Sequence, residues 1–270
     1  MNMEESVESV SLVAKVLTKD EQNILEQQNN RPLSDFTKSK FEKNAQKHWD
    51  LFYKRNCERF FKNRYWTMKE FEELSDGGNR KILLEVGCGV GNLLYPLIEE
   101  GLFLKIYACD FSPRAIQLVK ENPRYNPEII TAFQADLTVA DSLSCNVKEA
   151  VDIVTMVFVL SAIAPSLFSN AIRNLAAVLK PGGIVFFRDY GLYDMAQLRF
   201  KPGHKIADQY YVRQDGTRSY FFTIEELRKL FANEGFTELS NTYVNRRTVN
   251  RKECIDVPRI FIQAKFQKKL

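Results

Sequence analysis

The feature that most constrains this chain is an alternation. Between Lys81 and Asp189 the short apolar runs KILLEVG, LFLKIYACD, IITAFQADL, VDIVTMVFVL and GIVFFRD are separated by helical stretches such as NLLYPLIEE, SPRAIQLVKEN and SLFSNAIRNLAAVL. Strand–helix repetition of this kind builds a parallel sheet covered by helices on both faces. LKPGG (179–183) reads as a helix end, a proline stop and a glycine turn into the next strand. Near the C-terminus, ELSNTYVNRRTVN and VPRIFIQAKF read as two β-rich segments joined by a polar loop, an antiparallel hairpin added to the sheet. The expected fold class is α/β: a Rossmann-like, mostly parallel twisted sheet with that hairpin, preceded by a helical segment.

Upstream the pattern differs. Residues 1–30 are polar and short of aromatics, and are expected to be flexible or loosely helical, although TKDE (18–21) has capping-box spacing. Residues 31–78 are expected to form a basic, aromatic helical segment. Within it Phe36, Phe41, Ala45, Trp49 and Phe52 fall at spacings that fit one amphipathic helix. DGGN (76–79) reads as the turn before the main domain, 79–270. The 38 Lys and Arg residues give a net charge of only +4, but they are unevenly placed. From Arg31 to Lys69 there are eleven Lys/Arg against four Asp/Glu, and from Arg246 onward eight against two. Two basic ends are either solvated faces or a surface for a polyanion. Five cysteines without a CxxC pair, and only His48 and His204, argue against a disulfide framework and against a metal centre. No secretory pattern or membrane-length apolar run is present, so a cytoplasmic or nuclear location is expected.

The glycine loop carries the first chemical signal. Gly87, Gly89 and Gly91 follow a strand and precede a helix, where they let a ligand approach the backbone. Asp110 ends the second strand, where a carboxylate can hold two ribose hydroxyls. That arrangement serves NAD and S-adenosylmethionine alike. Asn92 and Leu93 stand where a dinucleotide fingerprint needs a further glycine, and Asp136 closes the third strand in reach of an adenine amino group. The strand VDIVTMVFVLSAI followed by LKPGG resembles the later motifs of class I methyltransferases. S-adenosylmethionine is therefore the expected cofactor. Glu85 either organises the loop or caps backbone amides; Cys88 and Cys109 read as small core fillers.

Beyond LKPGG, FFRDYGLYDMAQLRF (186–200) and YYVRQDGTRSYFF (210–222) are dense in Arg, Asp and Tyr, a composition suited to base stacking and phosphate holding. The fourth strand ends in VFVLSAI and lacks the Asn/Asp-Pro-Pro-aromatic box of exocyclic-amine methyltransferases. An exocyclic amino group is thus a poor acceptor candidate.

WDLFYKRN, FFKNRYW, EVGCGVGN, ACDFSPRAI, FVLSAI, FRDYGLYD and YVRQDGTRSYFF together resemble the eukaryotic transfer-RNA 3-methylcytidine methyltransferases, over a span from about Asp35 to Phe266. The resemblance implies modification of cytidine 32 in the anticodon loop, and the ending VNRKE…VPRIFIQAKF favours the branch acting on serine tRNA, with seryl-tRNA synthetase as partner. DMAQLRF departs toward the sister branch acting on threonine and arginine tRNAs. Cofactor positions carry over onto Trp49, Tyr53, Gly87, Asp110, Asp136, Leu137 and Val157, the last where the family has isoleucine; Phe111, beside Asp110, joins them. Trp49 and Tyr53 share a helix face, which is either core packing or a lid over the cofactor.

Ring nitrogen 3 of neutral cytosine has a free lone pair, so its methylation needs positioning more than a base. Asp189, beside Arg188 and Tyr190, is the catalytic candidate, accepting from the cytosine amino group; the alternative is a salt bridge to Arg188 or Arg213. Phe60, Phe61, Tyr190 and Tyr220 are candidates to stack on the base. Lys62, Arg64, Arg213, Arg218, Arg246, Arg247 and Arg259 are candidates for the RNA backbone. A methyltransferase of a small molecule or protein, and a non-catalytic adaptor, remain as competing readings.

Overall fold

The computed structural model describes residues 4–56, 63–64, 72–74, 81–100, 104–250 and 255–270. The expected strands form as β2 (Lys81–Val86), β3 (Leu104–Asp110), β4 (Ile130–Gln134), β5 (Val151–Val157) and β6 (Leu179–Tyr190). With β1 (Glu4–Ser11), β10 (Phe236–Asn250) and β11 (Ile255–Lys268) they make one eight-stranded sheet in the order β1-β10-β11-β6-β5-β2-β3-β4. Strands β2 to β6 run parallel, β11 lies antiparallel to β6, and β10 antiparallel to β11. A separate three-stranded sheet, β7 (Lys205–Ala207), β8 (Tyr210–Val212) and β9 (Arg218–Tyr220), follows β6.

Successive residues of the parallel strands point to opposite faces and both faces are apolar, as strands buried on two sides require. Leu84, Val86, Val154, Met156 and Phe187 face α6 (Phe168–Val178) and α7 (Ile224–Asn233) through Ile172, Leu175, Leu227 and Phe231. Leu83, Ile106, Ala108, Ile153 and Phe186 face α4 (Leu94–Glu99) and α5 (Pro113–Glu121) through Leu97, Ile116 and Val119. Phe231 is fully buried and stacks on Phe266 with ring centroids 3.9 Å apart. A buried side chain of this size contributes about 1.5–3 kcal/mol.

Three expectations change. The segment 1–30 carries β1, which pairs with β10 and covers the edge of the sheet. It also carries α1 (Lys19–Gln27), with Thr18 and Glu21 completing the capping box. The basic segment is two helices, α2 (Asp35–Lys43) and α3 (Ala45–Asn56), because Asn44 leaves helical geometry and its side chain donates to Lys40 O at 2.7 Å. Phe36, expected on the buried face, is 79% exposed. LKPGG is already strand, since α6 ends at Val178 and β6 starts at Leu179. The DGGN boundary lies outside the described residues.

Candidate active site

A cavity of about 270 Å³ opens at the C-terminal ends of β2 to β5. Gly87, Asp110, Phe111, Asp136 and Leu137 line it, each supplied by the loop that follows a strand. Gly87 adopts φ 61°, and a Cβ there would fall 2.4 Å from Val159 Cγ2, so no other residue fits the turn. The Asp110 carboxylate accepts from Gly89 N and Ser112 N, both at 2.9 Å, and so ties the glycine loop to the start of α5. Burial nevertheless pushes its pKa up to about 6. Asp136 accepts from Thr138 N at 2.8 Å and Oγ1 at 2.7 Å. Gly91 is a correction: a Cβ there would strike the Tyr95 ring at 2.4 Å, so this glycine serves packing and does not line the cavity.

The adjoining, smaller cavity of about 40 Å³ is lined by Arg64, Glu85, Gly89 and Val157 among others. Trp49, Tyr53, Gly87 and Phe158 line both. Helix α3 thus forms a wall of the cleft, held against α5 by Phe52, Ala115 and Leu118 and by the Asp50–Ser112 hydrogen bond. Glu85 is buried and its Oε2 has no partner among the described residues. Burial raises its pKa to about 8, while nearby Arg64 opposes that shift. Arg64, expected on the RNA backbone, instead enters the protein: it donates to Val157 O at 3.2 Å and lies over the Phe158 ring. Cys88 and Cys109 are buried, and burial raises both thiols. Among the described residues no cluster can hold a metal ion, and no helix is long and apolar enough to cross a membrane.

The acceptor side departs further from expectation. Asp189 is completely buried, and its carboxylate accepts from Ser161 N and Tyr190 N, both at 2.9 Å. It makes neither expected salt bridge and does not line either cavity. Burial raises its pKa to about 6. Arg188 is buried over the Phe261 ring, 5.1 Å from its centroid. Tyr220 belongs to the core: it packs on Phe168 and Phe222, and its hydroxyl donates to Glu226 and lies 2.8 Å from the Gln209 side-chain amide. Arg218 lines the main cavity and donates to Ala162 O. Arg246 is buried, Arg247 is paired with Asp256, and Arg259 is paired with the buried Asp194 at 2.9 Å. Phe60, Phe61 and Lys62 lie outside the described residues.

What the fold does assemble is an aromatic and cationic cluster around Tyr190. Its ring lies 5.1 Å from Phe158 and 5.6 Å from Phe221. The guanidinium groups of Arg213 and Arg259 stand 5.6 and 5.8 Å from the Tyr190 centroid, and Arg213 donates to its hydroxyl at 3.2 Å. Phe158 and Phe261 lie within FVLSAI and VPRIFIQAKF, stretches that carry the family resemblance, but neither is singled out there as a site residue.

A methyltransferase-domain family matches residues 41–241. The tRNA N(3)-cytidine methyltransferase METTL6 of Mus musculus is 52% identical over 267 residues, covering 97% of this chain and 94% of its own. The chain belongs to the tRNA N(3)-cytidine methyltransferase family. METTL2 of Danio rerio, a second tRNA N(3)-cytidine methyltransferase, is 37% identical over 90% of this chain and 79% of its own. A solved S-adenosylmethionine-dependent methyltransferase from Anabaena variabilis shares the fold, with a TM-score of 0.62 at 12% identity over 90% of this chain and 98% of that one. The cofactor is S-adenosylmethionine, and the cleft suits it. Asp110, Phe111, Asp136 and Leu137 line the main cavity together, and two carboxylates beside apolar side chains would suit the adenosine part of the cofactor. Glu85, whose Oε2 has no partner among the described residues, and Arg64 both line the smaller cavity and would offer an acceptor and a donor to the methionine end of the cofactor. When bound, the cofactor supplies an electrophilic methyl group.

Proposed function

We propose that this protein methylates ring nitrogen 3 of cytidine 32 in the anticodon loop of serine tRNA, with seryl-tRNA synthetase as the partner that presents it. The observation that carries the reading is the Phe158–Tyr190–Arg213 cluster beside the cofactor cleft, where flat π faces and the Arg213 charge suit a base and its phosphate. The nitrogen lone pair forms the new bond to the methyl carbon while the carbon–sulfur pair returns to sulfur. No proton has to leave first, so orientation dominates and contributes about 7–11 kcal/mol. Drawing the base from its stack costs about a few kcal/mol, which aromatic contacts of about 1–3 kcal/mol each offset.

In this reading Asp189 is a positioning residue. It ties the start of Tyr190 to the turn that carries Phe158 and Ser161, so it fixes the acceptor cluster without touching the base. The RNA backbone follows the solvent side of α2 and α3, where Lys40, Lys43 and Lys47 are exposed while Trp49 and Tyr53 of the same segment face the cleft. RNA affinity then falls steeply with salt through counterion release. Mass spectrometry of nucleosides from serine, threonine and arginine tRNAs, each treated with and without seryl-tRNA synthetase, tests the proposal. It expects 3-methylcytidine in serine tRNA, enhanced by the synthetase. Product confined to threonine or arginine tRNA overturns the choice of substrate, and no product in any tRNA overturns the reaction.

A further inference from the structure

We infer that Phe158 is the surface on which the methyl-accepting ring stacks, and that its left-handed backbone exists to hold the phenyl ring there. Phe158 immediately follows β5 and has φ 60°. Bulky residues avoid that region, which glycine occupies freely, and such strain persists where the surroundings over-determine it. Here they do. Phe158 N donates to Arg188 O at 2.7 Å, which keeps the chain paired with β6 while it turns out of the sheet. The next residue, Val159, fills the space that the missing Cβ of Gly87 leaves. A glycine at 158 would satisfy the backbone, so the phenyl ring is what the strained turn retains.

The ring's place gives it a role. The sulfonium joins the adenosine and methionine parts of the cofactor, so with those parts in the two cavities its methyl group would lie where the cavities meet. Four residues line both cavities: Trp49 and Tyr53 on α3, Gly87 in the loop, and Phe158. Of these, Phe158 is the one whose ring reaches Tyr190, at 5.1 Å, and it packs edge-on against Phe261 at 5.3 Å. The Arg64 guanidinium covers the ring at 5.4 Å and is held in turn by Val157 O. A partly buried aromatic ring is thus fixed between the two cavities and the Tyr190 cluster. A neutral pyrimidine laid on it presents its ring edge toward the donor, and stacking of this kind is indifferent to which base is bound.

This inference rests on cytidine methylation as proposed above, and the experiment separates the two. Wild type, Phe158→Leu, Phe158→Gly and Phe158→Tyr are compared for S-adenosylhomocysteine affinity by calorimetry, tRNA affinity, and single-turnover methyl transfer. Wild-type enzyme is also mixed with tRNA carrying the fluorescent analogue pyrrolocytidine at the target position. The expected result is quenching of that fluorophore in the wild-type complex and recovered emission with Phe158→Leu. Methyl transfer should slow at least about tenfold in Phe158→Leu and Phe158→Gly, with cofactor affinity within about threefold of wild type and most activity kept by Phe158→Tyr. Transfer by Phe158→Leu at the wild-type rate, a parallel loss of cofactor affinity, or no quenching in the wild-type complex would overturn the inference. A wild-type enzyme that methylates no tRNA cytidine overturns the function itself, whatever the Phe158 variants do. If Phe158→Leu and Phe158→Gly fail to fold, absence of quenching in the wild-type complex still overturns the inference, and Phe158→Met supplies the ring-less chain for the recovered emission.

Discussion

The two sides of the cleft were built by different rules. On the cofactor side, Asp110 ends a parallel strand and Gly87 and Asp136 sit one and two residues beyond one, and their positions follow from local sequence. On the acceptor side, arginines and tyrosines that look like a nucleic-acid surface are largely spent inside the protein. Arg259 neutralises Asp194, Arg246 is buried, and Tyr220 donates to Glu226. A motif that positions its own residues can be read from the chain. A cation whose partner lies 65 residues away cannot.

This contrast can be broken experimentally. The largest effect is expected from Asp194→Ala, which removes the buried carboxylate that pairs with Arg259 and accepts from Ile260 N. It should cost about 3 kcal/mol in denaturant unfolding, the low end for a broken buried pair because Arg259 keeps some solvent contact. Unchanged stability would return Arg259 to the surface class. Asp110→Ala removes the acceptor of Gly89 N and Ser112 N and should cost about 1–2 kcal/mol of stability, but weaken cofactor binding at least about 100-fold in calorimetry. An equal loss of stability and binding would erase the difference between the two sides.

Smaller effects sharpen it. Glu85 holds a proton up to about pH 8 in the folded chain but only to about 4.5 when unfolded. Folding therefore takes up a proton between those values, and the stabilisation is present at low pH and lost as pH rises. Wild-type stability should fall relative to Glu85→Gln from about pH 5 to 8, by up to about 1.4 kcal/mol per pH unit. Parallel pH profiles would contradict the buried, orphaned carboxylate. Tyr220→Phe removes hydrogen bonds to Glu226 and Gln209. It should destabilise by about 1–2 kcal/mol and leave tRNA affinity unchanged in filter binding. A selective loss of tRNA affinity would restore Tyr220 as a base-stacking residue.

The strands β2 to β6 and the C-terminal hairpin were legible because hydrophobic runs and turn residues report local structure. Trp49 and Tyr53 were legible as one helix face, and the structure turns that face to the cleft. The break at Asn44 was not, because the apolar spacing runs through it. Asp189 was read by its company, Arg188 and Tyr190, whereas its carboxylate points to Ser161 across a neighbouring strand end. Phe158 was invisible for a different reason. Its importance lies in a positive φ and in rings contributed by β6 and β11, none of which the sequence displays near residue 158.

The most direct test of the central claim uses serine tRNA with 3-deazacytidine at position 32, where a carbon replaces the accepting nitrogen. With methyl-labelled S-adenosylmethionine, the unmodified tRNA should take up label and the deaza tRNA should bind with similar affinity yet take up none. Label entering the deaza tRNA at the normal rate would contradict methyl transfer to ring nitrogen 3 of that cytidine.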